Sequence, residues 1–279
     1  MHSKSIKSLI MMKNLLTLLF LLLACSTFAQ RTMFGGNNNF VAPPPPPFQA
    51  PAITTGEVTT GLLLYLNADN TASYSGNGDT WYDLSGNNNH GTLRANGSGT
   101  SPIFSNGSFA FNGSSSYVSI ARSVIPNTGS FTVATWAKMP PGRYAELINT
   151  RNASTVTGFL LTSTGSDIRA QINNPSVNQY VYSGTHSVIQ DNTWHLITIT
   201  VDVATRSMKA FVDNVYISSN TFPAGSLVGQ EYFSIGWDYA WNGQPFYLGS
   251  VATVSVYNYA LSSTEVSTNF NALKSRFGL

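Results

Sequence analysis

Trp194-His195-Leu196-Ile197-Thr198-Ile199-Thr200-Val201-Asp202 is the stretch that decides the fold. Five consecutive β-branched residues, Ile197 to Val201, favour an extended chain over a helix. In a strand, alternate side chains point to opposite faces. One face then carries His195, Ile197, Ile199 and Val201, and the other carries Trp194, Leu196, Thr198 and Thr200. Both faces are partly apolar, so this strand is expected to be covered on both sides. Downstream, Met208–Val212 and Val215–Ile217 flank Asp213-Asn214, two residues that tolerate positive φ. That spacing predicts a tight β-hairpin.

The same grammar extends outward in both directions. Leu62–Leu66, Ser108–Phe111, Tyr117–Ile120, Phe131–Lys138, Ala145–Asn149 and Phe159–Thr162 read as strands. So do Ile168–Ile172, Tyr180–Tyr182, Phe233–Trp237 and Val251–Tyr257, with Gly, Asn, Ser and Asp clusters between them. Many short strands separated by turn signals describe a sandwich or barrel. One helix is expected, at the C-terminus. Ser262 and Glu265 form a capping box, and Val266, Phe270 and Leu273 recur at helical spacing. This helix is expected to close one end of the sandwich.

The segments before residue 61 differ in kind. Lys4, Lys7 and Lys13 precede the apolar run Leu15–Ala24, too short to span a bilayer and followed by small residues. Residues 1–29 read as a secretory signal peptide, with Thr27 and Ala29 at the cleavage site and Gln30 released. A second reading takes Leu22-Leu23-Ala24-Cys25 as a lipobox, with a lipid on Cys25, the chain's one cysteine. Residues 30–60, with Asn37-Asn38-Asn39 and the five prolines Pro43 to Pro47, read as an extended spacer. Residues 61–279 are then one domain, secreted or held at the cell surface.

Charge narrows the partners. Charged residues make up 9% of the 279-residue chain. Removing the three leader lysines leaves eleven basic residues against twelve acidic ones, a net charge of −1. Phosphate recognition needs a dense basic patch, so nucleic acid is not an expected partner.

The ordered motifs of this region resemble a known family. Trp81-Tyr82-Asp83-Leu84-Ser85-Gly86-Asn87-Asn88-Asn89-His90-Gly91-Thr92-Leu93 is similar to the opening signature of laminin-G-like, concanavalin A-like lectin/glucanase domains. Phe109–Ser114 with Tyr117-Val118, then Phe131–Trp136, Asn192–His195, Phe211–Asn214 and Val254–Ser262, continue the resemblance in order. It implies an all-β jelly-roll sandwich of two antiparallel sheets, consistent with the strand reading. The leader ending Thr27-Phe28-Ala29-Gln30 resembles those of Bacteroidetes secreted proteins.

Enzymes of that fold are mostly glycoside hydrolases, which need two carboxylates flanking the scissile bond. The chain has four glutamates: Glu57 at the spacer edge, Glu265 capping a helix, and the isolated Glu146 and Glu231. The glucanase signature of closely spaced acids on one strand is missing. His195 shares a strand face with isoleucines and reads as a core histidine. No nucleophile elbow, phosphate loop or His-x-x-x-His pair occurs.

Two binding features remain. Asp83, Ser85, Asn87 and Asn89 present side-chain oxygens at alternating positions around Gly86. Such a loop could supply several of the oxygens calcium needs, with Asp83 and Asn87 as ligands and Asp69 as a helper. The alternative is that these residues hydrogen-bond their own turn. The second feature is Trp237-Asp238-Tyr239-Ala240-Trp241-Asn242-Gly243, expected as a loop at the sandwich rim. Sugars bind flat aromatic platforms with amides and carboxylates beside them. Tyr239 and Trp241 would stack on rings while Asp238 and Asn242 bond hydroxyls. For Trp237 and Tyr247 a place in the core is the competing reading. The expected function is therefore non-catalytic carbohydrate binding. A protein-contacting adhesive module is the main alternative, and a glycosidase with an unfamiliar acid pair is a weaker one.

Overall fold

The computed structural model describes residues 56–151, 157–165, 167–174, 177–182, 189–223, 232–237 and 246–279. Along the described chain the strands are β1 (Leu62–Asn67), β2 (Thr80–Trp81), β3 (Gly91–Ala95), β4 (Ile103–Ser105), β5 (Ser108–Asn112), β6 (Ser116–Ile120), β7 (Phe131–Lys138) and β8 (Tyr144–Asn149). They continue as β9 (Gly158–Thr164), β10 (Ile168–Asn174), β11 (Val177–Tyr182), β12 (Trp194–Asp202), β13 (Ser207–Val212), β14 (Val215–Thr221), β15 (Phe233–Ile235) and β16 (Leu248–Tyr257). Helix α1 (Ser263–Leu273) and a 3-10 turn (Lys274–Phe277) end the chain.

These strands form two antiparallel sheets, the jelly-roll sandwich expected. The first sheet runs β14-β13-β12-β7-β16-β5-β4, with β1 also paired to β16. The second runs β11-β10-β9-β8-β15-β6-β3-β2. Strand β12 is central in the first sheet, paired with β7 and β13. Its Ile197, Ile199 and Val201 enter the core between the sheets. That core is filled by Trp81, Phe109, Phe131, Phe159, Phe233 and aliphatic neighbours. Burying each such side chain contributes roughly 1.5–3 kcal/mol. Asp213 and Asn214 take φ of 48° and 70°, as the hairpin turn requires.

The opposite face of the first sheet explains the rest of the β12 pattern. Trp194 and Leu196 pack there with Ala134 and Trp136 of β7 and Ala252 of β16. Onto this surface fold Phe270 and Leu273 of α1 and Phe277 of the following turn. The Trp136 and Phe277 rings stack with centroids 4.2 Å apart. The capping box of α1 is complete: Glu265 N–H donates to Ser262 Oγ, and Ser262 N–H donates to Glu265. The helix therefore lies on a sheet face rather than closing an end of the sandwich. Its apolar stripe divides between two clusters there: Phe270 and Leu273 pack with Ala134, Trp136, Leu196 and Ala252, and Val266 packs with Phe211, Tyr257 and Leu261.

The start of the domain also differs from expectation. Glu57 and Val58, in the segment read as spacer, already belong to the fold. Val58 N–H donates to Asn269 Oδ1 on α1 at 2.8 Å, and the Tyr65 hydroxyl donates to Glu57. Val58 packs with Phe211, Tyr257, Leu261 and Val266. Residues 1–55, which hold the leader and most of the spacer, lie outside the described residues.

Candidate binding face

Three of the four sheet faces are accounted for: two meet in the core and one lies beneath α1. The fourth is the outer face of the second sheet. Its composition follows from strand alternation. On β6, Val118 and Ile120 enter the core, so Tyr117 and Ser119 point outward. On β15, Phe233 and Ile235 point inward and Ser234 outward. Register then aligns Thr92, Ser119, Ser234, Asn149, Leu160 and Gln171 across neighbouring strands. This row is polar at five of its six positions; Thr92 and Ser119, at its β3–β6 end, are half-buried, while Ser234, Asn149, Leu160 and Gln171 are buried.

One end of the face is a groove of about 340 Å³, lined among the described residues by Arg94, Tyr117, Ser119, Ile120, Ala121, Tyr232, Phe233 and Ser234. Arg94 stands opposite Tyr117 in the β3–β6 register. Its Nε–H donates to Ser119 Oγ at 3.4 Å.

The expected rim loop begins beside this groove. Gly236 has φ of +91°, and a Cβ there would lie 2.6 Å from the Phe111 ring, so only glycine fits without strain. This turn delivers Trp237, whose ring packs on Tyr117 at 5.0 Å and stacks on Phe246 at 4.8 Å with planes 11° apart. Trp237 and Tyr247 are both buried, Tyr247 within the core between the sheets and Trp237 against the outward-pointing Tyr117. Tyr247 N–H donates to Gly236 O at 2.8 Å. Both ends of segment 238–245 are thereby fixed next to Tyr117. Asp238, Tyr239, Trp241 and Asn242 themselves lie outside the described residues.

Toward the middle of the same face lies a group that the sequence reading left as isolated. Glu146 projects from β8 away from the core and is buried. Thr162 Oγ1 on β9 donates to its Oε2 at 3.3 Å, and Arg151 Nη2 stands 3.8 Å from its Oε1. Burial pushes the Glu146 carboxyl up to about 7, against Arg151, Thr162 and Arg169, which act to lower it. Arg169 on β10 donates to the Tyr144 hydroxyl at 3.3 Å. Among the described residues Glu146 therefore faces cations and a hydroxyl rather than the second carboxylate a glycosidase needs. Glu231 is outside the described residues.

The three candidate calcium ligands each have protein partners. Asp83 is buried and each of its oxygens is already engaged. Oδ1 accepts from Tyr65 N–H and Ser85 N–H, both at 2.9 Å. Oδ2 accepts from Ser85 Oγ at 2.8 Å and Asn89 N–H at 2.9 Å. Asn87 turns its amide N–H groups toward Leu62 O and Leu63 O. Asp69 pairs instead with Arg276, 3.7 Å away. Among the described residues no group of three His, Cys, Asp or Glu could hold a metal ion. Through these bonds the Asp83 carboxylate organises its own turn. His90 joins it by accepting from Asp83 N–H at 3.0 Å.

His195 is buried as expected, but with charged partners. Its Nδ1 lies 2.5 Å from Asp213 Oδ2 and its Nε2 lies 2.9 Å from Thr193 Oγ1. Asp213 Oδ1 accepts from Leu196 N–H, so the histidine ties β12 to the hairpin turn it precedes.

Comparison with known proteins follows this architecture. No curated protein matches the chain in sequence. Among solved structures, a botulinum neurotoxin type C structure, described as depending on two ganglioside molecules for cell entry, aligns with a TM-score of 0.59 at 14% identity. That alignment covers 77% of this chain and 52% of the other. The binding domain of Paraclostridial Mosquitocidal Protein 1 aligns with a TM-score of 0.58 at 16% identity, with coverage of 77% and 52%. The binding domain of botulinum neurotoxin DC, in complex with rat synaptotagmin II, gives 0.60 at 14% identity, with 78% and 52% covered. The chain spans about half the length of these relatives, and at such identities the likeness is one of fold. A family profile matches residues 112–267, more than half of the chain. The chain belongs to the concanavalin A-like lectin/glucanases superfamily.

Proposed function

We propose that this chain is a secreted or surface-held, non-catalytic module that binds carbohydrate on the outer face of its second sheet. The observation that carries the reading is the groove between β3, β6 and β15. It combines two tyrosines, an arginine and two serines at one end of the second sheet's outer face, where Arg94 and Tyr232 are exposed. Tyrosine rings offer flat apolar surfaces to sugar C–H faces, while guanidinium and hydroxyl groups meet sugar oxygens. The Trp237–Phe246 stack sets the ends of the 238–245 segment beside Tyr117. In this reading Tyr239 and Trp241, outside the described residues, stack on sugar rings while Asp238 and Asn242 bond hydroxyls.

The structural neighbours support a binding role. One is described with two ganglioside molecules, and another is a binding domain in complex with SialylT. The fold hosts many activities, so the groove's chemistry decides, not the likeness. A protein-contacting role has an observation of its own: Val215 and Tyr216, side by side at the start of β14, are 60% and 52% exposed.

The test is a glycan array probed with the purified chain, alongside Tyr232→Ala and Trp241→Ala. Selective binding that both variants lose while keeping the wild-type melting temperature supports the reading. A folded protein that leaves the array blank overturns it in favour of the protein-contacting module.

A further inference from the structure

The groove's charges are unequal. Arg94 is exposed, and its one hydrogen bond, from Nε–H to Ser119 Oγ, leaves both terminal nitrogens without a hydrogen-bond or ion-pair partner among the described residues. No carboxylate lines the groove among the described residues. The neighbouring cluster on the same face is different, because Glu146 there meets Arg151 and Thr162. A ligand filling the groove would strip water from the Arg94 guanidinium. A neutral sugar offers that cation only hydroxyl dipoles in exchange. A carboxylate offers two oxygens in the plane of the guanidinium fork, the geometry that makes such pairs strong and selective. Tyr117, across the β3–β6 register from Arg94, and Tyr232 flank the place where the ring carrying that carboxylate would lie.

We infer that the groove selects carboxylated sugars, with the Arg94 guanidinium gripping the carboxylate and Tyr117 and Tyr232 holding the ring. The inference rests on the carbohydrate-binding reading and narrows it to an acidic class. Both uronates and sialates present this chemistry.

The experiment titrates the purified chain by calorimetry with four probes: oligogalacturonate, its methyl ester, sialyllactose and lactose. The ester keeps every ring contact and removes the charge. The expected result is that at least one acidic probe binds roughly tenfold to hundredfold more tightly than its neutral counterpart. Arg94→Gln should remove that preference, bringing the acidic probe down to the affinity of its neutral counterpart. Arg94→Lys, which keeps the charge without the fork, should recover only part of it. Preference for oligogalacturonate identifies the uronate source, and preference for sialyllactose the sialate source. Equal binding of acid and neutral probes, or an Arg94→Gln variant that retains the preference, overturns the selectivity while the carbohydrate reading stands. A wild-type chain that binds none of the four, and is blank on the array, overturns both together.

Discussion

The Trp237 ring lies on Phe246 with centroids 4.8 Å apart and planes 11° apart, and it also packs on Tyr117 of the groove wall. One buried ring thus joins the rim to the binding face. Trp237→Ala leaves a void between two aromatic neighbours, and large-to-small changes of that kind cost about 3–5 kcal/mol. Urea unfolding should show that loss, and any glycan affinity should fall with it. Trp237→Phe, which retains part of the stack, should recover most of the stability. A Trp237→Ala variant with unchanged unfolding would show that the stack does not support the rim.

Asp83 makes a contrasting prediction about the loop that resembles a cation site. Its carboxylate accepts four hydrogen bonds, three of them from the backbone of Tyr65, Ser85 and Asn89. Removing the acceptor strands buried donors, and bonds to a charged group contribute about 1.5–3 kcal/mol each. Asp83→Ala should therefore cost at least about 3 kcal/mol, whereas Asp83→Asn should cost less. Because the oxygens are filled by protein donors, the melting temperature should be the same in millimolar calcium and in EDTA. A rise of several degrees with calcium would return Asp83 to the role of ligand.

How legible these features were depends on their range in sequence. Strand β12 could be read because its alternation is local, and the Asp213-Asn214 turn because two residues carry the signal. Strands β2 and β4, of two and three residues, are too short to show a period. The site of α1 is not legible in its sequence, because an apolar stripe says that a helix packs, not where. Its partners Trp136, Leu196 and Ala252 lie on three different strands. The rim tryptophan could be found in sequence, but the groove could not. Arg94, Tyr117 and Tyr232 span 138 residues and meet only because β3 pairs with β6 and β6 with β15. Glu146 likewise looked isolated until β9 brought Thr162 opposite it.

Residues 56–60 provide a test of the domain boundary. The bond from Val58 N–H to Asn269 Oδ1 and the packing of Val58 on Tyr257, Leu261 and Val266 connect the segment to α1. A chain beginning at Gly61 loses both, together with the contact of Glu57 to the Tyr65 hydroxyl. It should unfold at lower urea than one beginning at Gly56, by about 1–2 kcal/mol for one half-buried aliphatic side chain and its neighbouring hydrogen bonds. Equal midpoints would mean that the domain begins after the segment.

Stability should peak on the acid side of neutrality. Burial is the largest influence on His195 and by itself lowers its pKa. The hydrogen bonds and charges of Asp213 and Asp191 outweigh it and leave the imidazole above its ordinary value. A raised histidine stabilises fully below its unfolded pKa of about 6.5, and the contribution is lost as pH rises through the folded value. Glu146 acts in the same direction over a lower range. Burial lifts it from 4.5 to about 7, so between those values the folded chain keeps a proton that the unfolded chain has released. Stability then declines as pH rises across that interval, by on the order of 3 kcal/mol in total. Asp202, held below the usual carboxylate range by the Thr205 hydroxyl despite some burial, acts oppositely and costs stability only as pH falls below about 4. Urea unfolding from pH 4 to pH 9 should therefore show a maximum near pH 4.5–5.5 and a fall through neutrality. Glu146→Gln should flatten the fall between pH 4.5 and 7, and His195→Gln the part above pH 6.5. A profile that rises from pH 5 to pH 8 would mean that Glu146 is charged in the folded chain, held by Arg151 against the cost of its burial.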